Sequence, residues 1–111
     1  MKKRILIAIV MAAGFTVSAA AADNGEALFK SQGCTSCHRP QSTSKVNPSL
    51  AEIAQMYQGK EDRLVQYLNG EAEAIVKPDK AEMMKRHIEK TKQLSDADRK
   101  SIADFMMTYA K

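Results

Sequence analysis

Cys34-Thr35-Ser36-Cys37-His38 is the stretch on which the reading of this chain turns. Two thiols three residues apart, with an imidazole directly after them, form C-x-x-C-H, the attachment signature of c-type haem. The spacing has a mechanical reason. Thiols three residues apart sit on one helical turn and can each add to a haem vinyl group. The next residue, His38, is then held beneath the iron as its proximal ligand. Other readings of the same five residues fit less well. A thioredoxin-like Cys-x-x-Cys belongs to a βαβ unit, and no strand pattern precedes Cys34. A zinc site would need distant His87 and would force adjacent Cys37 and His38 onto one ion, whereas zinc ligands are spaced apart. A Cys34–Cys37 disulfide would leave His38 without a role.

Upstream of the box, residues 1–22 read as a cleaved secretory signal. Lys2-Lys3-Arg4 is a basic start, Ile5 to Val17 is uncharged and mostly apolar, and Ala20-Ala21-Ala22 fits the A-x-A rule ahead of Asp23. The apolar run is short for a spanning helix of roughly 20 residues. The domain is then residues 23–111, and export places it in the periplasm, where disulfides are permitted. The whole chain has 111 residues, with 17 Lys+Arg against 13 Asp+Glu. Without Lys2, Lys3 and Arg4 the remainder holds 14 basic side chains against the same 13 acids. That near-neutral balance argues against a nucleic-acid partner, which calls for a basic footprint. A domain this small makes a marginal core and leans on a cofactor, metal or disulfide.

Downstream and upstream alike, the pattern is helical and no segment alternates with period two, so the class is all-α. Asp23 with Glu26 resembles a capping box opening a first helix through Ala27, Leu28 and Phe29, which stops at Gly33. Residues 39–47 are polar and read as loop. Asn47-Pro48 reads as an N-cap with proline at the first helical position. Leu50, Ile53, Ala54 and Tyr57 then follow at i, i+3, i+4, i+7, one apolar stripe that Gly59 closes. Leu64 and Leu68 mark another helix, closed by Asn69-Gly70. Residues 71–93 are charged and lack strong periodicity. Ser95 and Asp98 form a second box, opening a last helix with Ile102, Phe105, Met106 and Tyr109 on one face.

Over residues 23–111 the chain resembles the small bacterial class I cytochromes c, most closely the short, single-haem, thermophile type. The resemblance is carried by Gly25-Glu26-Ala27-Leu28-Phe29, the C-x-x-C-H box, Pro48-Ser49-Leu50 and Gly70-Glu71-Ala72. Ala74-Ile75-Val76, Met84-Lys85 and the stretch from Leu94-Ser95-Asp96 to Ala103-Asp104-Phe105 complete it. It implies four to five helices wrapped round one covalently bound haem c, with Cys34 and Cys37 as attachment points. The first and last helices would cross at Gly25, with Phe29 meeting Ile102 and Phe105. It also implies that the Pro48 carbonyl accepts a hydrogen bond from the His38 Nδ1–H. The family usually has glycine where Asn47 stands.

The sixth iron ligand is a choice among methionines. Met106 lies on the core stripe of the last helix, Met107 beside it, and Met56 sits mid-helix close after the haem box. Met83 and Met84 stand well downstream, before the last helix, and the residues alone leave the two open. The family pattern, methionine then lysine, selects Met84-Lys85, with Arg86 where the family often has proline. His87, or an open position, is the remaining alternative for the sixth ligand, and His87 otherwise reads as a solvated histidine in a charged stretch. A haem held by His38 and Met84 leaves no open position for substrate. The implied function is a soluble periplasmic one-electron carrier rather than an enzyme, monomeric, not membrane-spanning, and working between redox protein partners. The alternatives are a haem subunit of a larger oxidoreductase, or a five-coordinate haem sensor or peroxidase-like protein. Residues 77–92 hold six basic side chains against Asp79, Glu82 and Glu89, a basic edge expected beside the haem with Lys85 and Arg86 at its centre.

Overall fold

The structure, a computed structural model, describes residues 19–110 apart from Lys45. Most of the expected export signal lies outside the described residues. Those residues form five α-helices and two short 3-10 helices, with no strand among them. The all-α expectation and the helix number are both met.

Helix α1 spans Ala19–Ser31, so the expected start at Asp23 is corrected. Ala19 to Ala22 are the strongest helix formers, nothing breaks the chain before Asp23, and the helix propagates upstream. It ends as expected. Gly33 adopts φ 82°, a left-handed conformation that glycine enters without strain. A 3-10 turn, Cys34–Ser36, follows directly.

Helix α2 spans Leu50–Met56 and is capped by Ser49, whose Oγ accepts the Glu52 N–H at 3.0 Å. The expected cap at Asn47 is therefore displaced by two residues. Ser49 and Glu52 are themselves a capping-box pair, and Pro48 is left outside the helix with its carbonyl free. The stripe Leu50, Ile53, Ala54 and Tyr57 is buried as the periodicity requires. Helix α3, Glu61–Leu68, buries Leu64 and Leu68 and stops at Asn69.

Residues 71–93 carry more structure than their sequence suggested. A 3-10 helix, Pro78–Met84, runs straight into helix α4, Lys85–Thr91. Pro78 supplies a helical φ at the start, and Ala81, Met84 and Ile88 at i, i+3, i+7 turn a half-buried face inward. Of the four apolar residues in 78–88, Ala81, Met83, Met84 and Ile88, only three share that face, too few for a periodicity test to register. Just before Pro78, Lys77 is the one non-glycine residue with positive φ among those described, at 50°. Its Nζ lies 3.4 Å from Glu52, which ties this bend to α2.

Helix α5, Asp96–Met107, starts where expected, with Ser95 Oγ accepting the Asp98 N–H at 3.0 Å. Helices α1, α2 and α3 all pack on it. Where α1 crosses it, a Cβ on Gly25 would lie 1.9 Å from the Ser101 carbonyl oxygen. Only glycine permits that approach. The Phe29 and Phe105 rings meet at 5.4 Å, tilted by 55°. Gly25→Ala therefore forces the two helices apart, and a loss of about 3 kcal/mol is expected from overpacking, measurable as a fall in denaturation midpoint.

Two polar clusters brace α5. Lys100 Nζ lies 3.1 Å from Glu61 of α3 and 2.5 Å from Asp104 one turn on. Burial, then the hydrogen bond with Asp104, raises the Glu61 pKa from 4.5 to about 6. A carboxyl group raised on folding stabilises the fold in its protonated form. Its contribution is complete below about 4.5 and lost as pH rises through about 6. Glu61→Gln should flatten this fall, seen as a smaller difference between denaturant midpoints at low and neutral pH.

The second cluster is Arg99, buried at 5 % exposure. Its Nη1 donates to the carbonyls of Thr91, Lys92 and Leu94 at 3.1, 3.0 and 2.5 Å, and its Nη2 donates to Asp96. Thr91 Oγ1 in turn donates to the Leu68 carbonyl at 2.5 Å. The C-terminal end of α4 is thereby fastened to both α5 and α3.

Candidate haem site

The 3-10 turn after Gly33 folds the C-x-x-C-H box on itself. The N–H groups of Cys37 and His38 both donate to the Cys34 carbonyl, at 3.2 and 2.9 Å. Cys34 is half-buried, Cys37 is exposed, and His38 is buried at 8 % exposure. The two cysteines are not joined to each other. Burial pushes the Cys34 thiol up to about 11, against a smaller opposing pull from Lys90.

His38 Nδ1 lies 2.8 Å from the Pro48 carbonyl oxygen. A carbonyl only accepts, so Nδ1 carries the proton and Nε2 of the neutral ring keeps its lone pair. The carbonyl is available because the helix begins at Ser49 and not before Pro48. The loop that brings it there is fastened by Leu50 N–H to Arg39 O at 2.7 Å and Ala51 N–H to Pro40 O at 3.1 Å.

These residues stand on the wall of a cavity of about 380 Å³. Cys34, Cys37, His38 and Pro48 come from one part of the chain, and Met83, Met84 and His87 from another. Leu64, Leu68, Ile102 and Met106 line it from α3 and α5. Tyr57 and Tyr67 add their rings, and burial raises both phenols, which keeps them neutral. A mostly apolar chamber with two thiols, an oriented imidazole and thioethers on its wall fits a haem in shape and donor set. The same side chains do not fit zinc. Among the described residues no three His, Cys, Asp or Glu side chains gather where they could hold a metal ion.

Residues 22–110 match the family model for cytochrome c. The chain belongs to the cytochrome c family. It is 39 % identical over 54 residues to cytochrome c-551 of Stutzerimonas stutzeri, a match covering 49 % of this chain and 51 % of that protein. The chain thus spans about half the length of the curated relative it matches. Family membership makes the cofactor covalent haem c, on the class I type of all-helical fold. That cofactor supplies the one-electron chemistry, while the protein supplies ligands, burial and orientation.

Every site residue expected from sequence faces the one cavity: Cys34, Cys37, His38, Pro48 and Met84. Met83 does too, but is 59 % exposed, whereas Met84 is half-buried. Met56 is 44 % exposed and lies off the cavity wall. One expectation is corrected: His87 is not a solvated side chain. It is half-buried on the cavity wall, and its Nδ1 is sealed from solvent without a hydrogen-bond partner. Its position three residues after Met84 is the available signal, hidden by the weak periodicity of residues 71–93. Lys77, Lys80 and Arg86 also reach the cavity, which sequence placed only as a charge run.

Proposed function

We propose that the chain is a periplasmic one-electron carrier with haem c on Cys34 and Cys37, iron held by His38 and Met84, and Pro48 orienting His38. The observation that carries the proposal is the His38 Nδ1–Pro48 carbonyl bond at the cavity that Cys34, Cys37 and Met84 also line. That bond fixes the ring and raises the basicity of Nε2 as an iron ligand. A thioether on the other axial side favours ferrous iron and raises the potential. With both positions filled, electron transfer is the chemistry left. Residues 1–22 are the export signal in this reading. Cleavage after Ala22 would leave Asp23 at the helix start, where a carboxylate complements the N-terminal dipole. No helix among the described residues is long and apolar enough to cross a membrane.

Absorption spectra of the purified protein, oxidised and reduced, test the assignment. A low-spin spectrum with a ferric sulfur-to-iron charge-transfer band supports it. A high-spin ferric iron that takes up cyanide, with a ferrous form that takes up carbon monoxide at once, would move the protein to the sensor or peroxidase-like class.

The partner surface in this proposal is the basic edge of the cavity. Lys85 pairs with Glu82 at 3.1 Å and Lys92 with Glu89 at 4.0 Å. Lys80 and Arg86 reach the cavity and, among the described residues, have no carboxylate partner. Arg86 is shared with the expected centre at Lys85 and Arg86, and Lys80 joins it on the cavity wall. Unpaired charge beside a redox centre speeds encounter with an acidic partner more than it tightens the complex. Lys80→Glu with Arg86→Glu should slow electron transfer to such a partner by about tenfold at low salt, and the gap should close as ionic strength rises. Equal rates at low salt would remove this edge from the mechanism.

A further inference from the structure

We propose that His87 is a second iron ligand on the distal wall, taking the sixth position whenever the Met84 thioether leaves it. The inference rests on Met84 being the resident ligand. Met84 ends the 3-10 helix and directly precedes α4, and His87 lies in the first turn of α4. Residues three apart share a helix face, and both side chains line the cavity that His38 lines.

The imidazole has one nitrogen to offer. Nδ1 is sealed from solvent and unpartnered, which leaves Nε2 as the nitrogen able to bind a metal. The missing partner also ranks the ligands. His38 has its Nδ1 held by the Pro48 carbonyl at 2.8 Å; His87 has no such support and binds more weakly. His38 is thus the permanent ligand and His87 the reserve. Redox state biases the exchange. The soft thioether prefers ferrous iron, and the harder imidazole nitrogen suits ferric iron. No electron or proton moves in the exchange: one iron–sulfur bond is replaced by one iron–nitrogen bond. The haem carboxylates do not need His87, because exposed Lys80 and Arg86 stand at the cavity rim.

The test compares ferric and ferrous holoprotein of Met84→Ala and Met84→Ala/His87→Ala by absorption and electron paramagnetic resonance. The single variant should stay low-spin without a sulfur band, and its ferrous form should bind carbon monoxide at least tenfold more slowly than the double variant. The double variant should be high-spin and return to low-spin with added imidazole. A high-spin single variant, or a low-spin double variant, overturns the role of His87 and leaves Met84 standing. A sulfur band surviving in Met84→Ala overturns the Met84 reading and this proposal with it. If the Met84 variants lose their fold, His87→Ala alone decides. At a denaturant concentration that removes the sulfur band, ferric wild type should remain low-spin and His87→Ala should turn high-spin. The same spin state in both overturns the proposal.

Discussion

Cys34→Ala/Cys37→Ala should abolish cooperative folding as well as haem attachment. The cavity explains the size of the effect. Left without its occupant, a largely apolar cavity of about 380 Å³ costs at most about 9 kcal/mol at ~24 cal/mol per Å³, the full figure applying only to an enclosed void, against a total stability of about 5–15 kcal/mol for a small domain. Collapse of the walls recovers part of that cost, but only by giving up the native packing of α3 and α5. The variant should show a large fall in helical circular dichroism and no sigmoidal denaturant transition. Haem staining after denaturing electrophoresis should be lost in the same protein. A variant that still unfolds cooperatively would mean that the side chains alone make a sufficient core.

Met84→Ala carries the second large effect. Loss of the thioether should eliminate the sulfur-to-iron band and lower the reduction potential on the order of 0.2 V, a fraction of the roughly 0.8 V that axial ligation spans. At ~59 mV per decade for one electron, that changes the ferrous-to-ferric ratio about a thousandfold. Met83→Ala should leave band and potential nearly unchanged, because Met83 is the more exposed of the two. Reversed behaviour of the pair would shift the ligand by one residue. Voltammetry of the three proteins decides between them.

Much of this architecture is legible in the sequence, for identifiable reasons. The haem box is a local chemical motif, and α2, α3 and α5 carry apolar stripes whose period needs no tertiary information. The crossing at Gly25 follows from the resemblance, and the 1.9 Å approach to Ser101 gives it a physical basis. What the residues hide is what depends on competition. Asn47 and Ser49 are both good caps, and Ser49 prevails because its Oγ takes the Glu52 N–H and His38 recruits the Pro48 carbonyl. Asp23 loses to the alanines before it. His87 looks like a charged-loop residue until the helix beginning at Lys85 turns it toward the same chamber as Met84. A family pattern can single out the methionine, but it is silent on its neighbour.

The Arg99 clamp has a consequence for speed. One guanidinium gathers the Thr91, Lys92 and Leu94 carbonyls, and Thr91 reaches back to Leu68. At the other end, Lys77 is tied to Glu52. The segment bearing Met84 is therefore anchored at both ends to neighbouring helices, to α2 through Lys77 and to α3 and α5 through Thr91. An electron transfers fastest when donor and acceptor change shape least, because every ångström of ligand movement adds to the activation barrier. With the proposed Met84 ligation, anchoring of the segment at both ends would lower the reorganisation that accompanies each change of charge, and the rest of the fold would supply rigidity that a single iron–sulfur bond lacks.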